Sequence, residues 1–143
     1  MATDRKASVT WRGDLFSGDG TIENVTSGAF GGLAVSWPAR SEEPNGLTSP
    51  EELIAAAWAS CFSMALSAGL GKAGTPPEKL ETSVTVTFQP GDGIIKSVIS
   101  VRGTVPALDA AGFQEAAEGA KANCPVSKAM TGVPEVTLHA ELA

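Results

Sequence analysis

Residues 53–71 read LIAAAWASCFSMALSAGLG, and no charge falls between Glu52 and Lys72. A run this long and this apolar reads as one helix, and it leaves two ways to fold: across a membrane, or through the middle of a domain. Ala, Ser and Gly fill much of the run, so its total hydrophobicity is modest. Glu51 and Glu52 abut one end, Lys72 is the only basic residue close to the other, and no second run of this kind exists. That pattern favours the central buried helix of a domain. The helix has a recognisable start: Ser49 as N-cap, Pro50 at the first helical position, and two glutamates at the positive end of the dipole. Gly69, Gly71 and Gly74, followed by Pro76 and Pro77, are expected to stop it.

Around this helix the chain alternates as strands do. ASVTW, DGTIENVT and LAVSW are three early strands separated by SGDG and by the glycine pair at 31–32, and PARSEEPNGLTSP is a polar, proline-bounded loop. After the helix, LETSVTVTFQ and IIKSVISVRGTV flank PGDG as a hairpin. DAAGFQEAAEGAKANC is amphipathic through Phe113, Ala117 and Ala120 and reads as a second helix. CPVSKAM opens a third, with Pro125 at its first position and Cys124 or Asn123 as its cap. PEVTLHAELA closes as a strand. The expected order is β-β-β-α-β-β-α-α-β in one domain spanning residues 1–143, an α+β fold with antiparallel sheets around a long central buried helix.

Composition narrows function mostly by exclusion. The net charge is −6 and the ten basic residues form no cluster, which argues against nucleic acid or an anionic membrane surface as partner. No glycine-rich phosphate loop follows a strand, so nucleotide-binding signals are absent. MATDRKASVTW lacks the apolar core of a signal peptide, and a cytoplasmic location is expected. Two cysteines there do not make a structural disulfide framework. With His139 the only histidine, in a strand-like segment, and no CxxC pair, neither a metal nor a cofactor is expected.

The chemistry therefore rests with two thiols. Cys124 begins a helix, where exposed backbone N–H groups favour a thiolate. Cys61 is mid-helix and has no such help; to react it needs a nearby cation, and a buried cation needs a carboxylate. Arginines occur only at 5, 12, 40 and 102. Arg40 lies in the loop leading into the long helix, and Glu51 stands ten residues, about three turns, before Cys61. From the residues alone a bland reading stays open: Cys61 as a small buried hydrophobe, the NCP stretch as a plain cap, Arg40 as a solvated loop charge.

TSPEELIAAAWASCFSMALS at 48–67, followed by KANCPVSKAM at 121–130, closely resembles the osmotically inducible protein C and organic hydroperoxide resistance family (OsmC/Ohr). CFSMALS and ANCPVSKA look more like the OsmC branch. The resemblance implies a cysteine-based, metal-free peroxidase that reduces organic hydroperoxides to alcohols in protection against peroxide and osmotic stress. It matches the peroxidatic cysteine to Cys61, the resolving cysteine to Cys124, the glutamate of the helix-opening PE to Glu51 and the activating arginine to Arg40, with Arg12 the alternative. It further implies a redox-active Cys61–Cys124 disulfide, a dithiol reductant (lipoyl-type or a small thiol), and an intertwined homodimer with both active sites at the interface. Trp58, Phe62 and Met64 are candidates for the wall of an apolar pocket, although each suits a plain core. Two alternatives of other classes are a non-catalytic binder of a small apolar ligand and a thiol redox sensor.

Overall fold

The computed structural model describes residues 1–143. Its elements are β1 (Ala7–Arg12), β2 (Asp19–Val25), β3 (Leu33–Val35), α1 (Trp37–Ser41), α2 (Pro50–Lys72), β4 (Lys79–Gln89), β5 (Gly93–Thr104), α3 (Ala110–Asn123), α4 (Pro125–Ala129) and β6 (Glu135–Leu142). The class is α+β, as expected. The chain divides into two compact units, residues 1–53 and 54–143.

In the first unit β1, β2 and β3 form an antiparallel meander, with a bulge between Ser8 and Val9. The stretch expected to be a loop begins instead with the single turn of α1. Ser36 caps it by accepting from the Ala39 N–H at 3.2 Å, and Pro38 sits in its first turn. This turn carries Arg40. Ser49 caps α2 as expected, its hydroxyl accepting from the Glu52 N–H at 3.1 Å. Ile22 and Ala39 are the buried apolar residues of this unit.

In the second unit β4 and β5 form the expected hairpin, and β4 alternates exposed and half-buried positions throughout, which is the pattern of a sheet with one packed face. β6 departs from expectation. It pairs parallel to β5, so the sheet, ordered β4-β5-β6, is mixed and not purely antiparallel. The reason lies in the connection: α3 and α4 intervene between β5 and β6, and a helical crossover returns the chain in the same direction. β5 is the central strand and buries Ser97, Ile99 and Val101.

The long helix runs through Gly69 and Gly71 and ends at Gly74, whose φ of +79° is the left-handed value that favours glycine. The Thr75 N–H donates to the Leu70 carbonyl at 2.9 Å and the Gly74 N–H to that of Gly71 at 3.1 Å, closing a Schellman cap. Only one stripe of α2 is buried in its unit: Trp58, Phe62, Leu66 and Leu70, at every fourth position. Ala56, Ala57, Met64 and Ala68 are exposed. The expectation of a helix buried on nearly every side is thus corrected for the single chain, which supplies one cluster for α2 to join. That cluster comprises the stripe with Ile99, Val101, Val105, Phe113, Ala117, Ala120, Cys124 and Val133. By length and composition alone α2 is apolar enough to cross a membrane.

Candidate functional site

Four side chains were singled out, and the structure groups them in two pairs. The first is Arg40 with Glu51. The guanidinium grips the carboxylate with two nitrogens: Nε donates to Oε1 at 2.9 Å and Nη2 to Oε2 at 2.8 Å. Glu51 is buried and Arg40 half-buried. The hydrogen bonds to Glu51, with its charge, outweigh burial and hold the Arg40 proton more firmly than in a free arginine. A two-point fork of this kind fixes the plane of the guanidinium, which lysine could not do. Arg12, the alternative arginine, ends β1 opposite Asp19 and is exposed. Arg40 is the arginine that holds Glu51.

Beside Arg40 lies an apolar hollow of about 310 Å³, walled by Val9, Trp11, Leu15, Val35, Trp37 and Leu53. Larger hollows lie along the sheet near Arg102 and His139 and along α2 and α3 near Leu70 and Leu108, but neither is lined by a cysteine.

The second pair is Cys61 with Cys124. Both thiols are free, Cys61 half-buried and Cys124 fully buried. They are neighbours close enough to shift one another's acidity. Burial first, and then the interaction with Cys124, hold the Cys61 thiol above its ordinary value, against a smaller opposing effect of the Val126 N–H. For Cys124 burial also acts upward, yet it is outweighed. The Cys61 thiol, the N–H and hydroxyl of Ser127 and the N–H of Val126 together bring it below its ordinary value. Within the pair Cys124 is thus the more acidic sulfur. The cause is local: Cys124 closes α3, its N–H donating to the Ala120 carbonyl at 2.8 Å, and opens α4 with Pro125 at the first position. Its side chain makes no capping hydrogen bond, so the N–H groups of α4 act on the sulfur by proximity.

Trp58 and Phe62 are fully buried in the core and Met64 is largely exposed, so the core reading holds for the first two. Trp58 adds something unforeseen. Its indole Nε1–H donates to Ser127 Oγ at 2.8 Å. Nothing local in the sequence marks Ser127, because its partner lies 69 residues away.

The comparisons with known proteins bear on the fold and the family. The family model described as OsmC-like protein matches residues 43–139. Peroxiredoxin OsmC of Escherichia coli (strain K12) is 38% identical over 145 residues, covering 99% of each chain. The organic hydroperoxide resistance protein of Xanthomonas axonopodis pv. citri is 37% identical over 94 residues, 64% of this chain and 65% of that one. Among solved structures, the organic hydroperoxide resistance protein OhrB of Bacillus subtilis superposes with a TM-score of 0.64 at 28% identity, covering 96% of this chain and 98% of that one. The chain belongs to the OsmC/Ohr family. Its match to an OsmC protein extends over almost the whole chain, whereas the match to the Xanthomonas protein extends over about two thirds.

Proposed function

We propose that this protein is a thiol-dependent peroxidase that reduces organic hydroperoxides to alcohols, using Cys61 and Cys124 and no metal. The observation that carries the reading is the adjacency of two free thiols of opposite character, one reachable and one buried and acidified. The relatives named peroxiredoxin and organic hydroperoxide resistance protein support the same class of activity.

In the proposed cycle the Cys61 thiolate attacks the terminal peroxide oxygen, the O–O bond breaks, and the alkoxide leaves as the alcohol after taking a proton. Cys61 is then a sulfenic acid, and Cys124 condenses with it to a disulfide and water. A dithiol of lipoyl type or a small thiol reopens the disulfide by exchange. Cys61 is assigned the attack because it is the more exposed sulfur. Its raised pKa means that it needs a cation, and that role is assigned to Arg40, oriented by Glu51. An apolar hollow with one guanidinium in its wall suits a molecule with a polar peroxide head and an organic tail. A homodimer and a cytoplasmic, reducing compartment complete the proposal; the exposed apolar side chains of α2, Met64 among them, support the former.

The test is turnover in the two single-thiol variants. Cys61→Ser is expected to abolish hydroperoxide consumption, whereas Cys124→Ser consumes one equivalent and stalls as a sulfenic or over-oxidised acid. Equal residual turnover in both would refute the division of labour. A purely binding protein would leave both thiols unconsumed in the wild type.

A further inference from the structure

Between β1 and β2 the chain places GDLFSG, residues 13–18, where a turn of two polar residues would join the strands. Its tip carries two large apolar side chains, Leu15 and Phe16, which are 46% and 72% exposed and outside the buried core. The backbone beneath them is tied down. The Asp14 carboxylate accepts from the Ser17 N–H at 2.7 Å and from the Ser17 hydroxyl at 2.9 Å. The Gly18 N–H donates to the Asp14 carbonyl at 3.0 Å. Gly13 has the left-handed φ of +89°, and a side chain on Gly18 would run into the carbonyl oxygens of Arg12 and Asp14. The segment is a built shape and not a slack connection.

Two ties join that shape to the apolar hollow beside Arg40. The indole N–H of Trp11 donates to the Gly13 carbonyl at 3.0 Å, and the Phe16 ring meets Trp37 edge-on with centroids 6.3 Å apart. Trp11 and Trp37 are both walls of the hollow, and so is Leu15. The remaining walls come from the sheet, from α1 with its cap and from the start of α2; Leu15 alone is supplied by the loop. The hollow, about 310 Å³, has room for about ten water molecules. Such a space takes a ring or a branched butyl group beside a peroxide head at Arg40, whereas an extended fatty chain is longer than the hollow is wide.

We propose that the 13–18 loop sets the substrate range of this hollow: Leu15 is the stop against which the organic tail ends, and Phe16, seated on Trp37, positions that stop. The inference rests on the peroxidase reading and narrows its substrate class to hydroperoxides with compact branched or aromatic tails. Leu15 works in two ways. A compact tail gains apolar burial against it, and a long tail is turned out into water.

The test is the ratio of kcat/KM for cumene hydroperoxide to that for n-decyl hydroperoxide, with the wild type expected to favour the former. Leu15→Ala removes the stop at a half-exposed position and is expected to lower the ratio about tenfold, the scale of a small change of volume in an apolar pocket. Phe16→Ala is expected to lower it about threefold, the worth of a modest aromatic pair, and through KM more than kcat. Phe16→Trp, which keeps a ring against Trp37, is expected to restore it. A second readout needs no peroxide. Trp11 and Trp37 stand in the wall, so tryptophan fluorescence reports binding of cumyl alcohol and of decanol, and Leu15→Ala is expected to shift their affinity ratio toward decanol. Ratios unmoved in Leu15→Ala and Phe16→Ala, with unfolding curves showing both folded, would overturn the proposal. So would a wild type that favours n-decyl hydroperoxide. A wild type that consumes no hydroperoxide would sink the peroxidase reading instead, and the alcohol ratio would still decide whether Leu15 limits the hollow.

Discussion

The two units of this chain solve different problems with different materials. Residues 54–143 bury a dense apolar cluster that includes Trp58, Phe62, Phe113 and Leu66, and they set a thiol inside it. Residues 1–53 bury little beyond Ile22 and Ala39, and leave Val9, Trp11, Leu15, Phe16 and Phe30 exposed. What that unit fixes is a charge: Arg40 locked to Glu51. A protonated thiol is neutral and tolerates an apolar core, which here keeps Cys61 and Cys124 beside one another. A guanidinium cannot be sunk in the same way without a carboxylate to hold it, and a half-buried shelf with one good ion pair is a cheaper place to present it. The thiols of the proposed cycle are held by packing in one unit, and the arginine by a single ion pair in the other.

The largest expected effect follows from that contrast. Phe113 fills the centre of the second unit, and its ring lies where a side chain on Gly103 would have to go. Phe113→Ala is expected to cost about 4 kcal/mol of stability, measured by denaturant unfolding. Ile22→Ala, in the thinner unit, is expected to cost about 2 kcal/mol. Equal losses would mean that the first unit is as tightly packed as the second.

Next in size is the ion pair. Arg40→Met should lower the rate of Cys61 oxidation by an organic hydroperoxide on the order of a hundredfold, the scale of losing one donor aimed at developing negative charge. Glu51→Ala should lower it less, by letting the arginine wander, and Arg12→Met should leave it unchanged. If only Arg12→Met slows the reaction, the activating arginine is misassigned despite the bond to Glu51.

The smallest effect is in the thiol pair itself, and its sign is fixed by the surroundings. Cys124 raises the pKa of Cys61, so Cys124→Ala should shift the alkylation profile of Cys61 to lower pH, with burial still holding it above an ordinary cysteine. Cys61 helps to lower that of Cys124, so Cys61→Ala should shift the thiolate absorbance of Cys124 to higher pH. Shifts in the same direction in both variants would show that the two sulfurs do not act on one another.

Much of this was legible in the chain. Caps at Ser49 and Gly74, the alternation along β4 and the proline after Cys124 are local signals, and each element they announce is present. Two features were not legible because they depend on non-local pairing. The parallel pairing of β6 with β5 depends on where the α3–α4 crossover returns, which no residue of β6 announces. The single buried stripe of α2 depends on how much surface the rest of its unit can cover, and a run with alanine on every side carries no periodic record of that. Both cysteines could be picked out from their motifs. Ser127 could not, because its significance comes from an indole 69 positions away.

The central claim is that Cys61 and Cys124 are one redox pair, and it is tested most directly by treating the reduced protein with one equivalent of cumene hydroperoxide and mapping its peptides by mass. The account predicts a single cross-linked peptide joining Cys61 to Cys124, lighter by two hydrogens and restored by a dithiol. Unchanged thiols, or an oxidised Cys124 beside an intact Cys61, would contradict it.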